Sequence, residues 1–562
     1  MPDGVLRGVL ISDFNVANLA GFLANDSEEP VAEATVAPFG QAIPILMNGD
    51  HEIWGGDPSF TVVWTRPEGV IESFSRFIGH ETENAENVLG EVDAYAELLV
   101  RLGKRVRAVF VPLWTASLPR RGLGMLDLRP GAGLAHLLMQ MNLRLARGCA
   151  ERPNIYLLDA QRWLVAAGRS AFSPTLWYMA KIPFGAEVFK EASQDIKSGL
   201  RALSGRARKL LILDLDETLW GGIVGEGGWG QLRLGGHDPV GEAYVDFQRE
   251  LKALRRRGVL LALVSKNDEQ SALEAIRNHP EMVLRAEDFV AWKINWEDKA
   301  QNISDLVADL NLGLESVVFI DDHPTERARV RDALPQVLVP EWPEDPALFR
   351  SALLSLRCFD VPGFSGEDLA RTELYAAERR RQTLRTTVGS VEEWLQSLGI
   401  RVTVEPLSPG NMARTVQLLN KTNQMNLATR RLTEAELLAW TGAASRRLWT
   451  FRVADKYGDA GLTGILGIDA DGERVEITDF VLSCRVMGRK VEETMLSIAV
   501  EHARRLGLPR VIARYVPTER NRPCMQFFTK SGFRTEDPET FVWSTAEEYP
   551  APTCVQVERR SC

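Results

Sequence analysis

Between Leu210 and about Asp345 the chain repeats one unit, an apolar run of strand length followed by an amphipathic segment of helix length. The runs read LLILD, VLLALVS and SVVFID, and the segments at 241–257, 268–278, 299–311 and 324–333 read as helices. Near-continuous apolar runs are strands covered on both faces, and their alternation with helices predicts a parallel, doubly wound sheet. In such sheets ligands gather beyond the carboxyl ends of the strands, and the charged residues of these runs stand there.

The rest of the chain is too long to join that core. At 562 residues it calls for about three domains, since single cores stop growing near 250 to 300 residues. Hydrophobic content of 45% and charged content of 25% supply enough apolar material to fold throughout. A formal charge of -10 argues against nucleic acid as the partner. Six cysteines (Cys149, Cys358, Cys484, Cys524, Cys554, Cys562) form no C-x-x-C pair, which predicts neither a disulfide framework nor a zinc site and suits a reducing cytoplasm. The N-terminus lacks a signal-peptide pattern and no run of about 18 apolar residues occurs, so a protein neither exported nor membrane-bound is expected.

Residues 1–195 alternate short apolar runs with helical segments at 90–102 and 131–149 and read as an α/β domain. The repeating unit occupies 206–345. A Pro-rich stretch and a charged helix around 367–384 form a linker over 346–389. A third, α+β domain covers 390–548, with a loose tail at 549–562.

Chemistry concentrates at the first strand tip, where Asp214 and Asp216 flank an inward Leu215 and precede Glu217 and Thr218. Two adjacent carboxylates are costly unless a cation neutralises them, and Mg²⁺ takes one or two carboxylates together with water and phosphate oxygens. The second strand ends in Ser265, Lys266 and Asn267, which offer a hydroxyl and a positive charge to phosphate; Lys266 is equally a surface residue. Lys299 opens a helix, and Asp321 with Asp322 closes the last strand.

Carboxylate, hydroxyl, lysine and acidic pair in this order resemble the haloacid dehalogenase phosphatases. The resemblance implies that Asp214 attacks phosphorus and that Asp216 protonates the leaving oxygen, then activates water. Thr218, Ser265, Lys266, Asn267 and Lys299 would surround the phosphoryl group. Asp214, the backbone carbonyl of Asp216, and Asp321 or Asp322 would hold Mg²⁺. Only about 20 Gly-rich residues follow the first motif, so a capless site open to a substrate on a long arm is expected.

In the third domain, LSCRVMGRK and the later Asn521 before FFTKSGF resemble an N-acetyltransferase-like fold, whose strand-to-helix turn cradles a pyrophosphate. Here the turn keeps Gly488 and loses the second glycine, so coenzyme A is not the expected ligand. One phosphate of a phosphopantetheine arm could be met by Arg485, Arg489 and Lys490. Cys484, before that cationic turn, would gain thiolate character from a helix dipole and positive neighbours.

Together DLDETLWGG, LVSKND, NWEDKA, FIDDHP, NKTNQMNLATRR and LSCRVMGRK resemble the FkbH-like family, glyceryl-carrier-protein synthases of polyketide pathways, over nearly the whole chain. The resemblance implies that Cys484 takes the acyl group of 1,3-bisphosphoglycerate, a phosphorylated three-carbon substrate, and that the dehalogenase-like domain removes the remaining phosphate. The glyceryl group then passes to an acyl carrier protein. Asn420, Lys421, Thr422, Asn423, Gln424, Asn426 and Arg430 belong to the most family-specific run, whose chemistry spacing does not reveal. The first domain resembles an SGNH esterase-like segment without its serine and histidine, which leaves docking or shielding as its expected role. The competing expectation is a phosphatase of a small phosphometabolite without acyl transfer.

Overall fold

A computed structural model describes residues 5–81, 84–116, 122–236, 238–363 and 390–560, and the charged helix expected around 367–384 lies outside them. The chain divides into two compact units, Met1–Arg201 and Ala202–Cys562. Among the described residues no helix is long and apolar enough to cross a membrane.

The first unit is built on five parallel strands, β1 (Leu6–Ile11), β2 (Ala32–Val36), β3 (Phe60–Val63), β4 (Ala108–Pro112) and β5 (Ile155–Leu158), ordered β2-β1-β3-β4-β5. β3 and β4 are buried along their whole length, as their predominantly apolar sequences require. At the tip of β1, Asp13 accepts from the Arg66 backbone N–H at 2.7 Å and from Arg66 Nε at 2.9 Å.

The second unit opens with the sheet expected from the repeat. β6 (Leu210–Leu213), β7 (Leu260–Ser265), β8 (Phe289–Ile294) and β9 (Val317–Ile320) are all parallel, in the order β8-β7-β6-β9. Strand periodicity divides β6 between two cores. Leu211 and Leu213 pack with Tyr244 and Phe247, whereas Leu210 and Ile212 pack with Ile303 and Leu306 on the other face. Each such side chain contributes roughly 1.5–3 kcal/mol of burial. The helix Pro239–Arg256 starts where Asp238 caps the Val240 and Gly241 N–H groups and Pro239 presets the first turn.

A mixed sheet follows, formed by β10 (Ile400–Pro406), β11 (Met425–Asn426), β12 (Arg446–Asp455), β13 (Gly458–Ala470), β14 (Val475–Leu482), β15 (Arg510–Arg514), β16 (Arg534–Asp537), β17 (Thr540–Ser544) and β18 (Val555–Arg559). Its order is β16-β17-β15-β14-β13-β12-β10-β18, and only β14–β15 and β10–β18 are parallel. β14 pairs with β15 only from Val475 to Ile477; its far end pairs instead with β11, Met425 opposite Leu482. The helix Val491–Arg505 makes the crossover between the two parallel strands.

The expected loose tail is an error of the sequence reading. Val555–Arg559 forms β18 against β10, and Arg560 reaches Glu405 at 2.9 Å. The open edge of β10 offers backbone donors and acceptors that a short alternating segment can take.

Candidate functional site

Three strand ends and one helix start converge beyond the carboxyl edge of the β6–β9 sheet. Parallel register places Asp214, Ser265 and Asp321 next to each other in space, and the helix Lys299–Asp309, capped by Asp298, presents Lys299 to them. The Lys299 ammonium lies 2.8 Å from Asp214 Oδ2 and 2.6 Å from Asp321 Oδ2, and all three residues are buried. Burial pulls the Lys299 ammonium toward neutrality, but the Asp214 and Asp321 charges override it and hold the proton on more firmly.

One carboxylate oxygen from each of Asp214, Asp321 and Asp322 lies within 4.8 Å of the other two. Burial first, and then the Asp214 charge, push the carboxyls of Asp321 and Asp322 above the ordinary range. Asp214 Oδ1 is buried without a hydrogen-bond partner among the described residues. Three carboxylates gathered this closely, with a buried carboxylate oxygen that has no donor beside them, suit a small divalent cation.

Asp216 faces elsewhere. Trp220 Nε1 donates to it at 2.8 Å, the Val224 N–H at 3.1 Å and Asn267 Nδ2 at 2.8 Å. Its side chain therefore stands outside the three-carboxylate cluster, and burial raises its pKa despite these donors. Of the residues expected to meet phosphate, Ser265 is buried at the strand end and Thr218 donates to Asp322 at 3.1 Å. Asn267 serves Asp216, and Lys266 is engaged by Glu326 at 2.6 Å.

Sequence reasoning missed Arg327, whose Nη1 donates to the carbonyls of Asp321 at 2.8 Å and Asp322 at 2.6 Å. It also missed Tyr244, which donates to the Glu217 carbonyl at 3.2 Å and steadies a residue held at φ 54°. Arg327 sits six residues beyond Asp321 on the helix Pro324–Ala333, a spacing without a motif to flag it.

The second cluster corrects the expected helix start. The helix begins at Val491, with Lys490 in the left-handed conformation before it, whereas Cys484–Val486 form a single short turn. A single turn carries no appreciable dipole, so that argument for Cys484 falls. Arg489 is only 2% exposed, with its guanidinium on Asp455 and on the Arg485 carbonyl, so it braces the turn instead of meeting a ligand. Glu492 fills the turn from inside. Its carboxylate accepts the Gly488 N–H at 2.7 Å, and burial pushes its pKa up to about 7. Cys484 is half-buried, its carbonyl accepting from Asn311 Nδ2 at 3.1 Å.

No family model and no curated protein matches the chain. Among solved structures it is similar to the N-terminal part of the protein BF1531 from Bacteroides fragilis, which contains a phosphatase domain and is complexed with Mg. Identity is 27%, with 64% of this chain and 95% of that chain covered and a TM-score of 0.59. A spermidine/spermine N-acetyltransferase from Vibrio cholerae matches 27% of this chain and 95% of its own at 14% identity, with a TM-score of 0.21. An acetyltransferase of the GNAT family from Staphylococcus aureus covers 26% of this chain and 99% of its own at 8% identity, also with a TM-score of 0.21.

Proposed function

We propose that this protein is a Mg²⁺-dependent phosphatase of the haloacid dehalogenase type, coupled to transfer of a glyceryl group from 1,3-bisphosphoglycerate to an acyl carrier protein. The observation that carries the phosphatase part is the carboxylate cluster of Asp214, Asp321 and Asp322, bridged by Lys299 and flanked by a separately held Asp216. The phosphatase domain of the BF1531 fragment, with its Mg, supports the same reading.

Asp214, Asp321 and Asp322 would hold the ion, which supplies charge neutralisation for phosphoryl oxygens that three carboxylates would otherwise repel. Asp214 Oδ1, buried and without a hydrogen-bond partner among the described residues, would be the oxygen that attacks phosphorus. As the new O–P bond forms, the ester P–O bond breaks and the leaving oxygen takes its proton from Asp216. The raised pKa of Asp216 keeps that proton available. Asp216 then removes a proton from the water that releases phosphate and restores Asp214. Lys299 remains charged throughout and steadies Asp214.

For the acyl group, the Cys484 thiolate would attack the acyl phosphate. A C–S bond forms, the C–O bond to phosphate breaks and inorganic phosphate leaves; the thioester then exchanges onto the carrier's phosphopantetheine thiol. Cys524, the next thiol in the domain, is fully buried and its pKa is pushed up by that burial, which disfavours it for this role.

The test is the intact mass of carrier protein after incubation with the protein, Mg²⁺ and 1,3-bisphosphoglycerate. A gain equal to one glyceryl group is expected. Phosphate release from small monoesters with the carrier unmodified would instead identify a stand-alone phosphatase.

A further inference from the structure

Asp321 and Asp322 follow β9 directly, and within that strand the side chains alternate strictly. Val318 and Ile320 pack into one core while Val317 and Phe319 pack into the other, as strand geometry imposes. Continued by two residues, that alternation would send the two carboxylates to opposite sides of the sheet. Instead one oxygen of each lies within 4.8 Å of the other and of Asp214. The backbone therefore leaves strand geometry immediately after Ile320.

Most contacts at this bend fix one residue of the pair. Lys299 and the His323 N–H take the two oxygens of Asp321, at 2.6 and 2.8 Å. Thr218 receives the Asp322 N–H and donates to the Asp322 carboxylate, both at 3.1 Å. Arg327 fixes both, its Nη1 donating to the Asp321 carbonyl at 2.8 Å and to the Asp322 carbonyl at 2.6 Å. Successive carbonyls of an extended strand point to opposite sides and do not meet one nitrogen. Their convergence on Nη1 is the same bend, read from the backbone instead of the carboxylates.

Arg327 is a costly residue for packing alone. It is 7% exposed and forms no ion pair among the described residues; an unpaired charge is expensive to bury where a methionine would fill the space without one. The preceding residue of its helix, Glu326, holds Lys266 at 2.6 Å, so one helical turn ties the tips of β7 and β9 together. The carboxyls of Asp321 and Asp322 answer chiefly to burial and to the Asp214 charge, which leaves Arg327 acting through the backbone.

We propose that Arg327 is a positioning residue for the metal site: by gathering both carbonyls it turns the carboxylates of Asp321 and Asp322 toward one ion and sets the site for Mg²⁺ over a larger cation. The proposal rests on the metal-dependent phosphatase reading above. Mg²⁺ demands near-ideal octahedral geometry, whereas Ca²⁺ accepts a looser and larger oxygen shell, so a slackened pair costs Mg²⁺ far more than Ca²⁺. A role confined to stability would weaken both ions alike, because it lowers only the fraction of protein competent to bind.

The full-length protein, stripped of metal with EDTA and then dialysed, is titrated calorimetrically with Mg²⁺ and with Ca²⁺. Arg327→Met should raise the Mg²⁺ dissociation constant about 10- to 100-fold and the Ca²⁺ constant less than about three-fold. Arg327→Lys, which keeps a charged donor without the planar fork, should recover part of the Mg²⁺ loss. Mg²⁺ constants within about three-fold of wild type in both variants, or equal weakening of Mg²⁺ and Ca²⁺, would overturn the proposal. If Arg327→Met does not fold, the preference of Arg327→Lys for Mg²⁺ over Ca²⁺ decides: a narrower preference than wild type supports the assignment and an unchanged one overturns it. Wild-type protein that binds no Mg²⁺ would remove the metal site and the role of Arg327 with it. Mg²⁺ binding without Asp214-dependent phosphate release would overturn the phosphatase reading and leave the role of Arg327 standing.

Discussion

Glu492→Gln gives the sharpest physical test of the C-terminal turn. Glu492 is 3% exposed; Oε1 takes the Gly488 N–H, and Oε2 is buried without a hydrogen-bond partner among the described residues. Burial raises its pKa from 4.5 to about 7. In that window the folded chain keeps a proton that the unfolded chain has released. The carboxyl's contribution is therefore fully present below about pH 4.5 and is lost as pH rises through about 7. The rise from 4.5 to about 7, at about 1.4 kcal/mol per pH unit, sets an upper value between about 3 and 4 kcal/mol. The glutamine amide accepts the same N–H and stays neutral, so the variant mimics the protonated form at every pH. Because the chain divides into more than one compact unit, a whole-chain melt is not a two-state measurement, and local opening is better read by hydrogen exchange of peptides spanning 488–500. After correction for intrinsic exchange, the variant should exceed wild type by under about 1 kcal/mol at pH 5 and by about 3 kcal/mol at pH 8. A gap that stays constant between those pH values would falsify the buried-carboxyl argument.

Asp214→Asn should lower phosphate release by at least about a thousandfold with the fold retained, as an isosteric amide is a poor nucleophile; wild-type release by the purified variant refutes the assignment. EDTA should remove phosphatase activity, Mg²⁺ should restore it, and Ca²⁺ should do so poorly because its looser coordination misplaces the reacting atoms; full activity in EDTA speaks against a metal-assisted site. Lys299→Met leaves Asp214 and Asp321 without their buried cation and should cost about 3–5 kcal/mol locally. Added Mg²⁺ should then raise the melting temperature of Lys299→Met more than that of wild type, and an equal rise in both denies that ion and ammonium compensate the same charges. Cys484→Ala should stop carrier loading while sparing Asp214-dependent hydrolysis of a simple monoester, since the two residues follow strands of different sheets; loading at the wild-type rate reduces Cys484 to packing. Cys484→Ser should load poorly, because a hydroxyl near neutral pH lacks the ionised fraction of a thiol.

What the sequence determined by itself was local. The strands β6, β7 and β9 were legible because burial on both faces demands unbroken apolar runs, and their helices because one amphipathic stripe must face those runs. Asp214, Lys299 and Asp321 could be picked out because each stands at the end of such an element. That Lys299 reaches across 85 residues to bind Asp214 was decided only by parallel register. Tertiary packing alone turned Asp216 toward Trp220 and Asn267, buried Arg489 against Asp455, and placed Asn311 against Cys484, 173 residues away. It also drew Val555–Arg559 onto the edge of β10 and brought Lys421 and Arg485 to the lining of one cavity. Polar side chains carry no periodic signature of their partners. Whether a charge is a ligand, a brace or a solvated surface group depends on what chain-distant elements bring within hydrogen-bond reach, and on the water they exclude in doing so.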